Sequence, residues 1–133
     1  MADPIIKNVD IGNLLVRNAE FEDDVFTFAG ADTILEGTIL ARDSVSGKLV
    51  LFVKGGATNE NGIPKAIISY QISATGAGDL NIRALISGTV RKERLVIDAD
   101  GDDSNIDSVV RDQLRDYAQI AIDVQELGIL DNQ

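Results

Sequence analysis

The chain of 133 residues contains no cysteine, no histidine and no tryptophan. Without cysteine there is neither a disulfide framework nor a thiolate metal site, which fits a protein made in a reducing cytosol. Without histidine the commonest general base and the commonest zinc ligand are both missing. The base that activates serine in a Ser–His triad goes with them. Aromatic residues make up 5% of the chain, too few to build a stacking platform for a sugar. No stretch approaches the ~20 apolar residues of a membrane-spanning helix. The opening MADPIIKNVD carries acids early and no long apolar run, so it does not read as a secretory signal.

Hydrophobic residues account for 44% of the chain, too many for a disordered polymer. The length suits one domain. The 22 acidic and 12 basic residues leave a net charge of −10. That balance favours solubility and repels nucleic acid, whose binding depends on neutralising phosphates. Neither nucleic acid nor membrane is an expected partner.

Residues 33–54, TILEGTILARDSVSGKLVLFVK, read as a β-hairpin. Ile34, Leu35, Ile39 and Leu40 precede a polar tip, and residues 49–53 form the apolar return. Asp43, Ser44, Ser46 and Gly47 supply turn chemistry at that tip. Gly37 inside the first arm points to a bulge or a close backbone approach.

Upstream, residues 1–20 read as an N-terminal arm. Pro4 blocks regular pairing at its own position, and Ile5, Ile6, Val9 and Ile11 are apolar in a polar setting. One reading is a frayed terminus. The other is an arm that adds as a strand to a partner, using main-chain bonds for affinity and alternate side chains for specificity. A strand could begin at Leu14-Leu15-Val16. The acidic run at residues 20–24 reads as a solvated turn ahead of the β-rich Val25 to Phe28.

Downstream, residues 55–62 are a glycine-rich loop, residues 65–73 a strand, and residues 74–79 a tight loop. Residues 80–90 alternate with Leu80, Ile82, Ala84 and Ile86 on one face. Residues 95–97 form a short strand. A helix is expected over about 104–120, opened by Ser104 and Asp107 at capping-box spacing. Its apolar stripe comprises Ile106, Val109, Val110, Leu114, Tyr117, Ala118 and Ala121. Residues 122–130 read as a short terminal strand or tail. The fold class is mainly β with one α-helix, a small barrel-like domain over residues 21–133.

No motif carries catalysis. Asp98, Asp100 and Asp102 alternate like calcium ligands, but an EF-hand counted from Asp98 needs glycine and glutamate where Asp103 and Val109 stand. A strand-to-helix cap accounts for these acids better. Gly76 and Gly78 lack the Lys-Ser/Thr pair of a phosphate loop. Glu22 and Asp24 are one of many acid pairs in an acid-rich chain, and alone do not make a glycosidase. No catalytic, cofactor-binding or metal-ligating residue is assigned, and no cofactor is expected. The basic group of Arg83, Arg91, Lys92 and Arg94 reads as a solvated tip paired with local acids; the alternative is a partner-facing patch.

Phe26-Thr27-Phe28-Ala29-Gly30, Gly37-Thr38-Ile39-Leu40 and Gly47-Lys48-Leu49-Val50 together resemble the small head-decoration proteins of lambda-like tailed phages. The order continues through Gly62-Ile63, residues 81–90, residues 106–120 and Gly128-Ile129-Leu130, so the likeness spans about 25–130. The N-terminal segment before Phe26 is longer than in that family. The resemblance implies a β-tulip-like domain and a structural, non-enzymatic homotrimer. It further implies a protein made in the host cytoplasm that seats on the outer surface of the expanded head at local three-fold sites. There it would bind the major capsid protein and cement neighbouring capsomers. Pro4, Ile5, Ile6, Val9 and Ile11 are then the candidate capsid-binding arm. A β-rich tail or head-fibre module is one alternative. A small acidic β-barrel binding or hydrolase domain is another, and the missing histidine and cysteine weigh against it.

Overall fold

The computed structural model describes residues 15–57 and 60–123. Eight strands, one 3-10 turn and one helix follow in chain order: β1 (Leu15–Phe28), β2 (Asp32–Ile34), β3 (Ile39–Arg42), β4 (Leu49–Leu51), β5 (Pro64–Ile68), β6 (Ile72–Ala74), β7 (Gly78–Arg91), the turn Lys92–Arg94, α1 (Ser108–Ala118) and β8 (Ile120–Asp123). The main sheet runs β1-β4-β3-β5-β7, and a second pairing of β7 with β1 closes it into a five-stranded barrel. Strands β2 and β6 form a separate antiparallel pair. The expected class, mainly β with one helix, is the class observed.

The barrel strands bury side chains on both faces. Phe26, Leu40, Leu49, Ala66, Ile68, Ile82 and Ala84 come from all five strands and fill the interior, joined by Ile34 and Ile72 from the small pair. Their neighbours Ile39, Ala41, Ile67, Leu85 and Val90 point the other way, under Val110, Leu114 and Ala118 of α1. Fully burying one such side chain contributes about 1.5–3 kcal/mol. Strand β3 and the end of β5 therefore read as continuous apolar runs rather than alternations.

The hairpin forms as β3 and β4, with Leu40 opposite Leu51 and Arg42 opposite Leu49. Its tip closes through Gly47 N–H to Asp43 O at 2.7 Å, with Gly47 at φ 75°. The first arm is nonetheless split, because Ile34 belongs to β2. Gly37 explains the split: it adopts φ 91°, and a Cβ there would overlap the Arg94 carbonyl oxygen. Gly37 also donates to Ile68 O and accepts from Val96 N–H, both at 3.0 Å. Of the two roles expected for Gly37, close backbone approach is the one it plays.

Five further expectations need correcting. The acidic residues 20–24 are not a turn; they continue β1, because Glu20, Phe21, Glu22, Asp23 and Asp24 each find a register partner on β7. Pairing overrode local preference, and Glu20, Glu22 and Asp23 remain exposed. The strand therefore begins at Leu15, within the segment read as an arm. Residues 65–73 are not one strand, because side-chain bonds bend the chain between β5 and β6. Ser69 Oγ donates to Arg83 O at 2.6 Å, and Arg83 N–H donates to Tyr70 Oη at 3.2 Å.

The helix starts at Ser108, not Ser104. Asp102 Oδ1 accepts the Ser104 N–H at 2.9 Å in a local turn, and Asp107 is the N-cap, accepting from Val110 N–H at 3.0 Å. The helix ends at Ala118, with Gln119 left-handed at φ 54°. Val109 and Tyr117 are not on its buried stripe; they are 59% and 50% exposed. Residues 95–97 make single bridges, Thr38 with Val96 and Ile97 with Asp102, instead of a strand.

Candidate functional site

Strand β7 gathers both ends of the described domain. At its C-terminal end Val90 is the register partner of Leu15, the first residue of β1. On its other edge β8 runs parallel, with Ile122 opposite Val90 and Asp123 opposite Arg91. Residues 1–14 and 124–133 therefore join the domain one strand to either side of Val90 and Arg91. Pro4, Ile5, Ile6, Val9 and Ile11 lie outside the described residues. The structure gives the root of that segment.

The polar groups near this end are unevenly paired. Lys92 Nζ donates to Asp103 Oδ2 at 3.0 Å. Lys54 Nζ donates to Asp107 Oδ2 at 2.9 Å and to Asn105 O at 3.0 Å. The Lys54 bond, with the Val110 N–H, holds the Asp107 carboxyl below its usual range. Arg91 and Arg111 differ from these: each has a buried Nε with no hydrogen-bond partner among the described residues. A cavity of about 130 Å³ opens between Lys92, Ile106, Asp107, Ser108, Arg111 and Ile122.

The basic group read from the sequence is thereby divided. Arg83 lies mid-strand with its guanidinium 5.2 Å from the Phe21 ring centroid. Lys92 takes a local acid, as a solvated tip would. Arg111 was missed as a member of this surface, because it sits off the apolar stripe of α1. Only the true cap at Asp107 brings its turn of helix beside Lys92 and β8.

The other residues singled out do not converge. Asp102 spends a carboxylate oxygen on the Ser104 N–H. Burial, helped by the charge of Asp32, pushes the Asp98 carboxyl up. Among the described residues no cluster of three or more acids is placed to hold a metal. Gly76 and Gly78 border an open depression of about 530 Å³ whose one charged lining residue is Asp79, the wrong sign for a phosphate. Asp24 faces Arg42 at 2.6 Å, and its carboxyl is lowered, opposite to what a general acid requires.

A search of curated proteins found no match to the chain. The family model described as bacteriophage lambda head decoration protein D matches residues 8–120. That span takes in the whole barrel, the helix and the first residue of β8. It also includes Val9 and Ile11 of the N-terminal segment. The match covers most of the sequence, and the chain belongs to the bacteriophage lambda head decoration protein D family.

Proposed function

We propose that this protein binds the outer surface of the expanded phage head at local three-fold sites, as a homotrimer, and stabilises the shell without catalysis. Family membership is the observation that carries this reading. The partner is the major capsid protein. Each subunit contributes one weak contact, and three linked contacts gain through effective concentration.

The N-terminal segment is the contact we assign to the coat. Its apolar positions Ile5, Ile6, Val9 and Ile11 alternate imperfectly around polar residues, and its root at Leu15 is already paired as a strand on β7. An added strand from this segment supplies main-chain bonds to a coat-protein sheet edge. The net charge of −10 supports a protein partner rather than packaged nucleic acid.

The test is co-sedimentation with cognate empty shells before and after expansion. Saturable pelleting with expanded shells alone is the expected result. A variant lacking residues 2–11 should pellet at least about tenfold more weakly, the loss of roughly 1.4 kcal/mol or more per site. Failure of the folded full-length protein to pellet with expanded shells would overturn the decoration reading. Undiminished binding by the truncated variant would overturn only the arm.

A further inference from the structure

We propose that the chain's own residues 124–133 dock over the cavity beside Arg111, held there by a carboxylate set against Arg111. Three observations lead to it. On a protein of net charge −10, Arg111 stands out, since its Nε has no hydrogen-bond partner among the described residues. That Nε is buried, and an N–H so placed is costly until an acceptor reaches it. The other charged groups at the cavity are already engaged: Lys92 by Asp103, and Asp107 by Lys54 and Val110.

The second observation is position. Ile122 lines the cavity, and Asp123 is the register partner of Arg91, so residue 124 starts beside the site. Glu126 follows three residues later, within roughly 10 Å of chain. A tethered segment meets the site at a high effective concentration that no free partner matches.

The third is chemistry. The sequence VQELGILDNQ brackets an apolar Leu127, Ile129 and Leu130 with Glu126 and Asp131. The cavity offers the complementary pair of surfaces, cationic at Lys92 and Arg111 and apolar at Ile106 and Ile122. An arginine–carboxylate contact in such a partly desolvated place is charge-assisted and geometrically selective.

Hydrogen exchange on the full-length protein tests this. The amides of residues 127–130 should exchange at least about tenfold more slowly than an unstructured peptide of the same sequence, independently of protein concentration. Glu126→Gln and Arg111→Glu should each abolish that protection while the barrel amides stay protected. The double variant Arg111→Glu/Glu126→Arg should restore a part of it. Unprotected amides in the wild type would overturn the proposal, as would protection that disappears on dilution, which would place a second copy's segment in the cavity. Unaltered protection in both single variants would overturn the assigned contact.

Discussion

Arg42 bridges two parts of the barrel: one guanidinium nitrogen lies 2.6 Å from Asp24 Oδ2 on β1, and the other donates to the Gly47 carbonyl at the hairpin tip. It ties the hairpin to β1 near Phe26 and Leu49, where β1 and β4 meet. Burial works to raise the Asp24 pKa. The Arg42 hydrogen bond, the Val25 N–H at 2.8 Å and the Arg42 charge outweigh it and leave the group lowered. A lowered carboxyl stabilises the fold fully above its unfolded pKa of about 4 and ceases to do so as pH falls through the folded value. Asp24→Asn should therefore cost about 1 kcal/mol at pH 7, a charge-assisted bond discounted for partial exposure, and less at pH 3. Urea unfolding at the two pH values checks it.

Asp98 should behave in the opposite way. Its carboxyl is raised by burial and by the neighbouring Asp32 charge. Ionised Asp98 thus opposes folding above its folded pKa, and this cost disappears as pH falls toward the unfolded value. Asp98→Asn is expected to stabilise the protein at pH 7 by about 0.5 kcal/mol. The gain should vanish at pH 3, as read from thermal unfolding at each pH.

Two glycines with similar backbone angles should respond differently to alanine. Gly47, at φ 75°, has nothing within 4 Å of a built Cβ, so Gly47→Ala pays only the left-handed penalty of about 1 kcal/mol. Gly37→Ala adds a collision with the Arg94 carbonyl and endangers the bonds to Ile68 and Val96. It should cost about 3 kcal/mol or more. Equilibrium denaturation of the two variants side by side decides whether the close approach carries that weight.

The two sides of α1 give a third contrast. Leu114 is fully buried beneath the helix, and Leu114→Ala should cost about 2–5 kcal/mol. Tyr117 is half exposed, with Lys65 Nζ 5.6 Å from its ring centroid. Tyr117→Ser should cost under about 1 kcal/mol. A large loss at Tyr117 would mean that this side of the helix is covered in the form measured.

The apolar runs around Ile39, Leu49, Ile67 and Ile82 were legible as strands, and the turn chemistry at Asp43 to Gly47 located the hairpin. The family resemblance came from those same turn and core positions. Local signals failed where distant pairing decided the outcome. Residues 20–24 look like a turn until β7 supplies their partners, and Ser69 and Tyr70 break a strand through bonds to Arg83. The cap was misplaced because Ser104 and Asp107 are both plausible in sequence, and only the turn at Asp102 shows that Ser104 is occupied. The candidate arm was readable as a pattern at Pro4, Ile5, Ile6, Val9 and Ile11. The cavity beside Arg111 was not, since it needs α1, β8 and the turn at Lys92 together.

The long pairing of β1 with β7 also has a mechanical meaning. A pull on Leu15 directed along β1 meets hydrogen bonds lying across the line of force, from Val90 down to Gly78. They are loaded in shear and must yield together, whereas a hairpin pulled open at its end yields one rung at a time. On the proposed reading, in which the segment before Leu15 ties the protein to a shell, tension on that tether would load these bonds together rather than one by one.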